Sequence, residues 1–328
     1  NGLRPSRYYV TNDGYLILSS EVGVLPVDES RIKLKDRLRP GKMLLVDTVK
    51  GELIDDDELK EKYATKQPYG EWLDNNLVQL HDLKIPNKKV PVHTKEERAR
   101  LQKAFGYTYE DFKTSILPMA LNGSEQIGAM GIDTPLAVLS NNHQPLFNYF
   151  KQLFAQVTNP PIDSIREKVV TSTTVYLGSD GNVLEEKPEN CKQLRINNPI
   201  LTNTDILKIK NMKVDGFKVE TIPIIYYKNT SLEKAIDHLY VEADRAHREG
   251  ANIIILSDRG VDENHVAIPS LLAVSALQQY LVQTKKRTSM AVILESGEPR
   301  DVHHFATLLG FGASAINPYL AQESIQEL

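Results

Sequence analysis

Four side chains that could bind a metal or transfer protons lie close together in the last third of the sequence: Glu295, Glu298, His303 and His304. They follow an apolar run typical of a strand, and carboxylates and imidazoles serve both as metal ligands and as acid–base groups. Adjacent histidines on a helix point roughly 100° apart, so at most one of the two would face Glu295. A helix that starts with Glu298 and Asp301 is also ordinary charge complementarity to the helix dipole. Structural or interface roles are therefore favoured over metal binding.

A second candidate is the sequence Ser-Asp-Arg-Gly at 257–260, directly after the apolar run 253–256. The carboxyl end of a parallel strand is where the sites of α/β proteins lie, so Arg259 could contact a phosphate or another ligand. No glycine-rich anion-binding loop accompanies it. We therefore favour a buried pair between Asp258 and Arg259 that shapes a domain interface.

Residues 310–315 match the dinucleotide-binding pattern G-x-G-x-x-A literally. That pattern must follow a strand and begin a helix, so that the pyrophosphate meets the amides of the helix N-terminus. Here the order of the predicted elements is reversed, which indicates a helix C-cap at Gly310 and a turn. The chain also lacks the G-x-x-x-x-G-K-[ST], H-E-x-x-H and G-x-S-x-G motifs of common ATPases, metalloproteases and α/β-hydrolases.

The composition excludes several other classes of protein. The chain has 328 residues, 41% hydrophobic and 25% charged, which is typical of a globular protein of about two domains. Its net charge of −4 does not resemble that of nucleic-acid-binding proteins. No apolar run approaches the ~20 residues that cross a bilayer. Cys191 is the single cysteine, so this chain alone supplies neither a disulfide nor a Cys-ligated metal site. We expect a cytoplasmic setting, with neither nucleic acid nor membrane as partner.

The first 66 residues predict a short β-rich segment. Asn-Asp-Gly at 12–14 separates the strand-like runs 8–10 and 15–19, a strong hairpin signal, and a further strand is predicted at 42–46. The charged run 55–66 predicts a solvated helix or linker, and we place a domain boundary there. The chain begins without an initiator Met and without a signal-peptide pattern, so we expect a piece of a longer polypeptide.

Residues 67–130 predict helical and irregular structure, including a capping box at Thr94 and Glu97. An apolar stripe after Pro145 predicts a helix over 145–157. From residue 222, apolar runs alternate with amphipathic segments. The predicted strands are 222–227, 253–256, 291–294 and 313–316, with a fifth at 136–139, and the predicted helices begin at Ser231 or cover 270–284 and 300–309. This alternation predicts an α/β fold with a parallel sheet, an incomplete βα-barrel-like domain with fewer than eight units.

Long runs of the sequence resemble the glutamate synthase central domain family. They are residues 131–140, 149–163, 198–202, 256–262, 269–273, 295–298, 303–306 and 317–321, while residues 1–5 resemble the end of a glutamine amidotransferase domain. The resemblance runs through the whole chain in order. It implies an amidotransferase tail with linker at 1–66 and a central domain at 67–328, helical and irregular over 67–130 and built of βα units over 131–328.

In this family, an amidotransferase with a Cys nucleophile releases ammonia from glutamine. The ammonia crosses the protein to an FMN-bearing βα-barrel with an iron–sulfur cluster, where 2-oxoglutarate becomes 2-iminoglutarate and is reduced to glutamate. The resemblance implies that the nucleophile, the FMN site and the cluster cysteines lie outside this chain. It also implies that the central domain is a non-catalytic connector, without catalytic, cofactor-binding or metal-binding residues. The implied partners are the amidotransferase and FMN domains of the same polypeptide, with a small electron-donating subunit as a further candidate; NADPH, NADH and ferredoxin remain open as electron donor.

Two groups of residues are expected to carry the connector role. The first is a wall of the ammonia passage formed by Met130, Gly131, Ile132, Asp133 and Thr134. Small residues there favour irregular backbone, and Pro135 biases Thr134 toward an extended conformation. A tight turn before the strand 136–139 explains the same sequence equally well.

The second group is a polar cluster at a domain interface, formed by Asp258, Arg259, Glu295 and His303. The alternative to the connector role is a stand-alone βα enzyme, or a ligand-binding module, that uses these same four residues at the strand ends.

Overall fold

The computed structural model describes residues 4–21, 23–129, 131–142, 144–156 and 160–328. Its strands are β1 Ser6–Thr11, β2 Leu16–Ser19, β3 Ile32–Leu38, β4 Leu45–Asp47, β5 Glu52–Ile54, β6 Val78–Gln79, β7 Val175–Leu177, β8 Leu194–Ile196, β9 Val219–Pro223, β10 Ile225–Tyr227, β11 Ile253–Ser257, β12 His265–Ala267, β13 Ala291–Glu295 and β14 Ala315–Asn317. Its α-helices are α1 Asp56–Ala64, α2 Tyr69–Asn76, α3 Lys95–Ala104, α4 Leu117–Asn122, α5 Glu167–Val170, α6 Asn203–Lys210, α7 Leu232–Arg248, α8 Ser270–Gln283, α9 Val302–Gly310 and α10 Tyr319–Glu327. Short 3-10 helices lie at Glu29–Arg31, Leu80–Asp82, Leu146–Phe150, Pro188–Cys191 and Arg287–Ser289, and a π-helix lies at Asp111–Ile116. The chain divides into two compact units, Asn1–Glu71 with Val157–Ser172, and Trp72–Gln156 with Thr173–Leu328.

The first unit is built on an antiparallel sheet with the strand order β2-β1-β3. The predicted hairpin is confirmed, and Gly14 supplies the positive φ of 86° that its turn requires. The predicted strand 42–46 begins only at Leu45, because the Met43 amide donates to Asp56 instead of to a neighbouring strand. The charged run after residue 55 is a helix, α1, with Asp55 as its N-cap.

The second unit is built around a four-stranded sheet with the order β14-β13-β11-β9, in which every neighbouring pair is parallel. Every residue of β11, β13 and β14 is buried, as expected where helices cover both faces of a parallel sheet. The fold is therefore mixed α/β, as predicted, and the described part of the chain contains no closed barrel.

Helix α7 shows how the sequence sets these elements. The Ser231 hydroxyl accepts from the Lys234 amide and begins the helix, and Gly250 follows its end at a φ of 88°. Ala235, Leu239 and Ala243 recur every four residues and are buried against the sheet.

The predicted helix 270–284 is confirmed as α8. Helix α9 begins two residues later than predicted, because the Asp301 carboxylate accepts from the His304 amide as its N-cap.

The predicted strand 222–227 is interrupted at Ile224. Its amide donates to the Ser257 carbonyl of β11, and its own carbonyl accepts from the Ile268 amide. The chain thus leaves the parallel sheet after Pro223, and β10 pairs antiparallel with β12. A smaller sheet of β6, β8 and β7 packs its apolar residues with those of α6.

The predicted helix over 145–157 is wrong. Only a 3-10 helix, Leu146–Phe150, forms, and Lys151 is extended. The Gln152 carbonyl accepts from the Ile132 amide at 3.0 Å, so this carbonyl serves a neighbouring segment. Phe154 is exposed, so the stripe lacks the buried face that stabilises a helix of this length, and Val157 lies outside the described residues.

The predicted strand 136–139, and with it a fifth βα unit, is also wrong. The Val138 amide donates to the Leu136 carbonyl and the Ser140 amide to the Ala137 carbonyl, which makes a turn. Leu139 is 96% exposed, so this run lacks the burial that stabilises a strand. None of the described helices is long and apolar enough to cross a membrane.

The end of α8 yields a stability prediction. Lys285 has a φ of 58° and occupies a left-handed position at which the Lys286 amide bonds back to the Leu281 carbonyl. This conformation costs an L-residue about 1–2 kcal/mol, and glycine avoids it at a smaller entropic cost. We expect Lys285→Gly to raise the free energy of unfolding by about 1 kcal/mol, measured as a higher urea midpoint. The matched control is Gly250→Ala, a position with open space around it, which should lower the midpoint; a destabilised Lys285→Gly variant would contradict the analysis.

Candidate functional site at the carboxyl edge of the parallel sheet

The carboxyl ends of β11, β13 and β14 meet at one edge of the sheet and carry a group of polar side chains. We call Lys210, Asp258, Arg259, Glu295 and Tyr319 the edge cluster. The register places Ser257 of β11 opposite Glu295 of β13, and Glu295 opposite Asn317 of β14. Such an edge is where α/β proteins bind their ligands, so we describe the partners of each group in turn.

Glu295 lies at the centre of the edge cluster and is 2% exposed. Lys210 Nζ contacts its Oε2 at 2.6 Å, and Arg259 Nε donates to its Oε1 at 2.8 Å. The Ser257 hydroxyl donates to Oε2 as well, at 2.6 Å. Burial raises the pKa of Glu295, but the two cations outweigh burial and hold this pKa below its usual value. Glu295 is therefore a carboxylate at neutral pH.

Asp258 is 1% exposed and faces other partners. The Ser296 hydroxyl donates to it at 2.5 Å, the Tyr319 hydroxyl at 2.8 Å, and the Gly297 amide at 3.1 Å. Burial nevertheless raises the pKa of Asp258 to about 7 against these donors, and the nearby Glu298 charge adds to the rise. Asp258 thus binds the loop after β13 to the start of α10.

Asp258 and Arg259 do not pair with each other, so the predicted pair is wrong. Consecutive side chains at a strand end point to opposite sides, and these two find different partners. Arg259 bonds to Glu295 and, through Nη2, to the Asn203 side chain at 3.0 Å. Its guanidinium also stacks over the Tyr319 ring, 3.9 Å from the centroid.

His303 does not join the edge cluster. Its Nε2 lies 2.9 Å from the Phe147 carbonyl. The neighbouring His304 stacks on the Phe147 ring at 4.2 Å and accepts from the Arg300 amide through Nδ1. Burial lowers the pKa of His304 to about 3, so its ring is neutral at physiological pH. Both histidines therefore hold Phe147.

Glu298 serves the start of α8. Its carboxylate accepts from the Ser270 amide at 2.7 Å and from the Ser270 hydroxyl at 2.6 Å. The described residues contain no group of three or more His, Cys, Asp or Glu side chains that could hold a metal ion.

The segment 131–134 lies apart from these groups as irregular backbone. A Cβ on Gly131 would lie 2.6 Å from the Phe154 Cα, so only glycine allows this close approach of two backbones. The Ile132 amide then bonds to the Gln152 carbonyl. Asp133 and Thr134 are exposed, and Met130 lies outside the described residues.

Two members of the edge cluster, Tyr319 and Lys210, were missed by reasoning from the sequence, and so was Asn203, which bonds to Arg259. Of these three, only Tyr319 could have been placed from the sequence, and only weakly: it follows the predicted strand 313–316 by three residues, which puts it at the same edge of the sheet. Lys210 and Asn203 lie at the two ends of α6, about 85 and 56 residues from their partners Glu295 and Arg259. No local pattern predicts pairs this far apart in the chain.

The first test of the edge cluster is Asp258→Asn. Because the folded-state pKa of Asp258 is raised, its protonated form stabilises the fold, and this stability is lost as pH rises from about 4 to about 7. The variant lacks this titration. Between pH 4 and pH 7 the wild type should therefore lose on the order of 4 kcal/mol of unfolding free energy relative to the variant. Denaturant unfolding at a series of pH values measures it, and a pH-independent difference would show that folding does not raise the pKa of Asp258.

The second test is Arg259→Met. The change removes one cation from a buried carboxylate together with the stack on Tyr319, while Lys210 still faces Glu295. We expect the free energy of unfolding to fall by about 3 kcal/mol, which is the lower end of the range for breaking a buried ion pair. The matched control is Arg245→Met on α7, where the arginine is exposed and a loss below about 1 kcal/mol is expected. Equal losses in the two variants would mean that the Arg259 pair behaves as a surface pair.

Comparison with known proteins agrees with the resemblance in the sequence. The model of the glutamate synthase central domain matches residues 100–328, and that of class-II glutamine amidotransferases matches residues 1–72. The chain is 46% identical over 327 residues to the glutamate synthase [NADPH] large chain of Bacillus subtilis, covering 100% of this chain and 21% of the relative. It is 43% identical to the glutamate synthase [NADH] of Schizosaccharomyces pombe, covering 100% of this chain and 16% of the relative.

The same similarity extends to a third type of relative. Ferredoxin-dependent glutamate synthase 1 of Arabidopsis thaliana is 40% identical over 334 residues, covering 100% of this chain and 20% of the relative. The chain thus spans about a fifth of the length of the curated relatives it matches. Since the central-domain model covers most of the chain, the chain belongs to the glutamate synthase central domain family, with a stretch similar to class-II amidotransferases at its start.

Proposed function

We propose that this chain is the connecting part of a glutamate synthase large chain. In that enzyme, glutamine and 2-oxoglutarate are converted with a reductant into two molecules of glutamate. The first 66 residues complete the amidotransferase domain and a linker, and the central domain joins it to the FMN-binding domain of the same polypeptide. The central domain contributes no catalytic group; it holds the neighbouring domains in register and forms part of the passage for ammonia.

The observation that carries the non-catalytic role is the filled carboxyl edge of the parallel sheet. Glu295 and Asp258 are almost fully buried, and each accepts hydrogen bonds from at least three groups of the protein itself. Arg259 is covered by Tyr319 on one face and paired with Glu295. Groups committed in this way are not available to a substrate, which argues against a stand-alone enzyme at this edge.

The same edge does not fit the cofactors of the complete enzyme. Only one buried donor, Arg259 Nη1, and one buried acceptor, Asn317 Oδ1, lack a partner within the described part of the edge. A flavin phosphate needs several convergent donors. Cys191 alone cannot hold an iron–sulfur cluster, which takes several cysteines. We therefore place FMN and the cluster elsewhere in the full-length polypeptide. The residues that select the electron donor also lie outside this chain, either in the same polypeptide or in a small electron-donating subunit.

The passage for ammonia is assigned to residues 131–134, which we call the passage segment. Gly131 lets its backbone lie against that of Phe154, and Thr134 is exposed with its hydroxyl unpaired among the described residues. Ammonia is small and neutral, so one hydroxyl and a few carbonyls are enough to pass it along without tight binding. An irregular segment exposes such carbonyls, whereas a helix or strand would use them internally.

The test is Thr134→Phe in the full-length polypeptide, with Thr134→Ser as the matched control that keeps the hydroxyl. A phenyl ring in a narrow passage should lower glutamine-dependent glutamate synthesis about tenfold or more, while glutamine hydrolysis continues and ammonia appears in solution. Coupled assays of glutamate formation and released ammonia measure both. If the Phe variant remains as tightly coupled as the Ser variant, these residues do not line the passage.

A further inference from the structure

Among the described residues, Phe147 is the buried residue closest in the chain to the passage segment. Its side chain is fully buried, although it belongs to a short 3-10 helix next to exposed residues. Its ring stacks on His304, with ring centroids 4.2 Å apart and planes 23° from parallel. Its carbonyl lies 2.9 Å from His303 Nε2. Two consecutive histidines of α9 thus hold one residue, one through the ring and the other through the backbone.

A short series of contacts runs from Phe147 to the passage segment. The chain continues from the 3-10 helix into residues 151–154, with Phe150 edge-on against Phe311 as a second attachment. The Gln152 carbonyl accepts from the Ile132 amide at 3.0 Å, and the Phe154 backbone lies against Gly131. We call residues 147–154 the support segment. Residues 131–132 are placed by the support segment, and the support segment is placed by α9.

The protonation of both histidines follows from their partners. A carbonyl only accepts, so His303 must carry a proton on Nε2 in order to bond to Phe147. His304 accepts from the Arg300 amide through Nδ1, so its proton lies on Nε2, toward the Asp301 carboxylate at 3.4 Å. Its ring has no free nitrogen lone pair and stays neutral at physiological pH. His304 therefore retains no acceptor atom for acid–base work at this place.

We infer that His303 is a positioning residue for the passage segment: by bonding to the Phe147 carbonyl it fixes the support segment, and through it the backbone of Gly131 and Ile132. This inference rests on the proposed function for its effect on ammonia transfer, but the positioning itself is independent of it. Among the described residues, the His303 side chain contacts the Phe147 carbonyl and the His304 ring. Loss of the His303 side chain should loosen the passage segment and leave the parallel sheet in place.

The experiment compares His303→Leu, His303→Gln and a control, His238→Leu, in the full-length polypeptide. The glutamine amide can donate to the Phe147 carbonyl as Nε2 does, whereas leucine cannot. His238 is exposed on α7 and makes no hydrogen bond within the described residues, so it reports the effect of the substitution alone. Hydrogen–deuterium exchange is measured for the peptides that contain residues 131–134 and 147–154, and for β11 as a reference.

We expect exchange of the Ile132 amide to become about tenfold faster in His303→Leu, the change that corresponds to losing one hydrogen bond. Exchange should stay near wild type in His303→Gln and in the His238 control, and β11 should be unchanged in every variant. Equal exchange in His303→Leu and His303→Gln would overturn the inference. Faster exchange in β11 as well would show general unfolding and would overturn it too.

The activity assay separates this inference from the proposed function. If His303→Leu speeds exchange at residues 131–134 and also releases ammonia during glutamine turnover, while ammonia-dependent synthesis persists, both hold. If exchange rises but glutamate synthesis remains fully coupled to glutamine hydrolysis, His303 positions the segment and the segment is not the passage. If coupling falls without any change in exchange, the positioning role is wrong.

Discussion

The structure of the second unit depends on the neutralisation of one buried carboxylate, that of Glu295. An isolated carboxylate in such a place costs several kcal/mol, and two cations from distant parts of the chain offset this cost. Lys210 ends α6 and Arg259 follows β11, so the same interaction fixes a helix and two strands relative to one another. Removing one cation weakens this compensation, and removing Glu295 leaves both cations without their shared carboxylate.

Asp258 extends the constraint to the C-terminal helix. It holds the Gly297 amide on one side and the Tyr319 hydroxyl on the other, and Tyr319 in turn covers the Arg259 guanidinium. A Cβ on Gly297 would lie 2.6 Å from the Phe105 ring, so the loop after β13 also packs tightly against the end of α3. The edge cluster is therefore the point at which the sheet, α3 and α10 are joined.

The regular elements could be predicted from the sequence because their causes are local. Ser231, Gly250 and the apolar repeat of α7 define a helix within 20 residues, and the continuous apolar run 253–256 defines a doubly buried strand. The carboxyl edge could be located for the same reason, since strand ends follow from strand assignments. The pairing within the edge could not. Lys210 and Arg259 pair with Glu295 although they are far from it in the sequence, and only the assembled sheet brings the three together.

The wrong predictions fall where an apolar pattern is not matched by burial. Leu139 and Phe154 belong to runs that resemble a strand and a helix, yet both are exposed in the second unit. Periodicity reports which face of a segment is apolar, but burial of that face is what stabilises the element. Here the backbone is shaped instead by a few specific contacts: Gly131 against Phe154, and Phe147 held by two histidines.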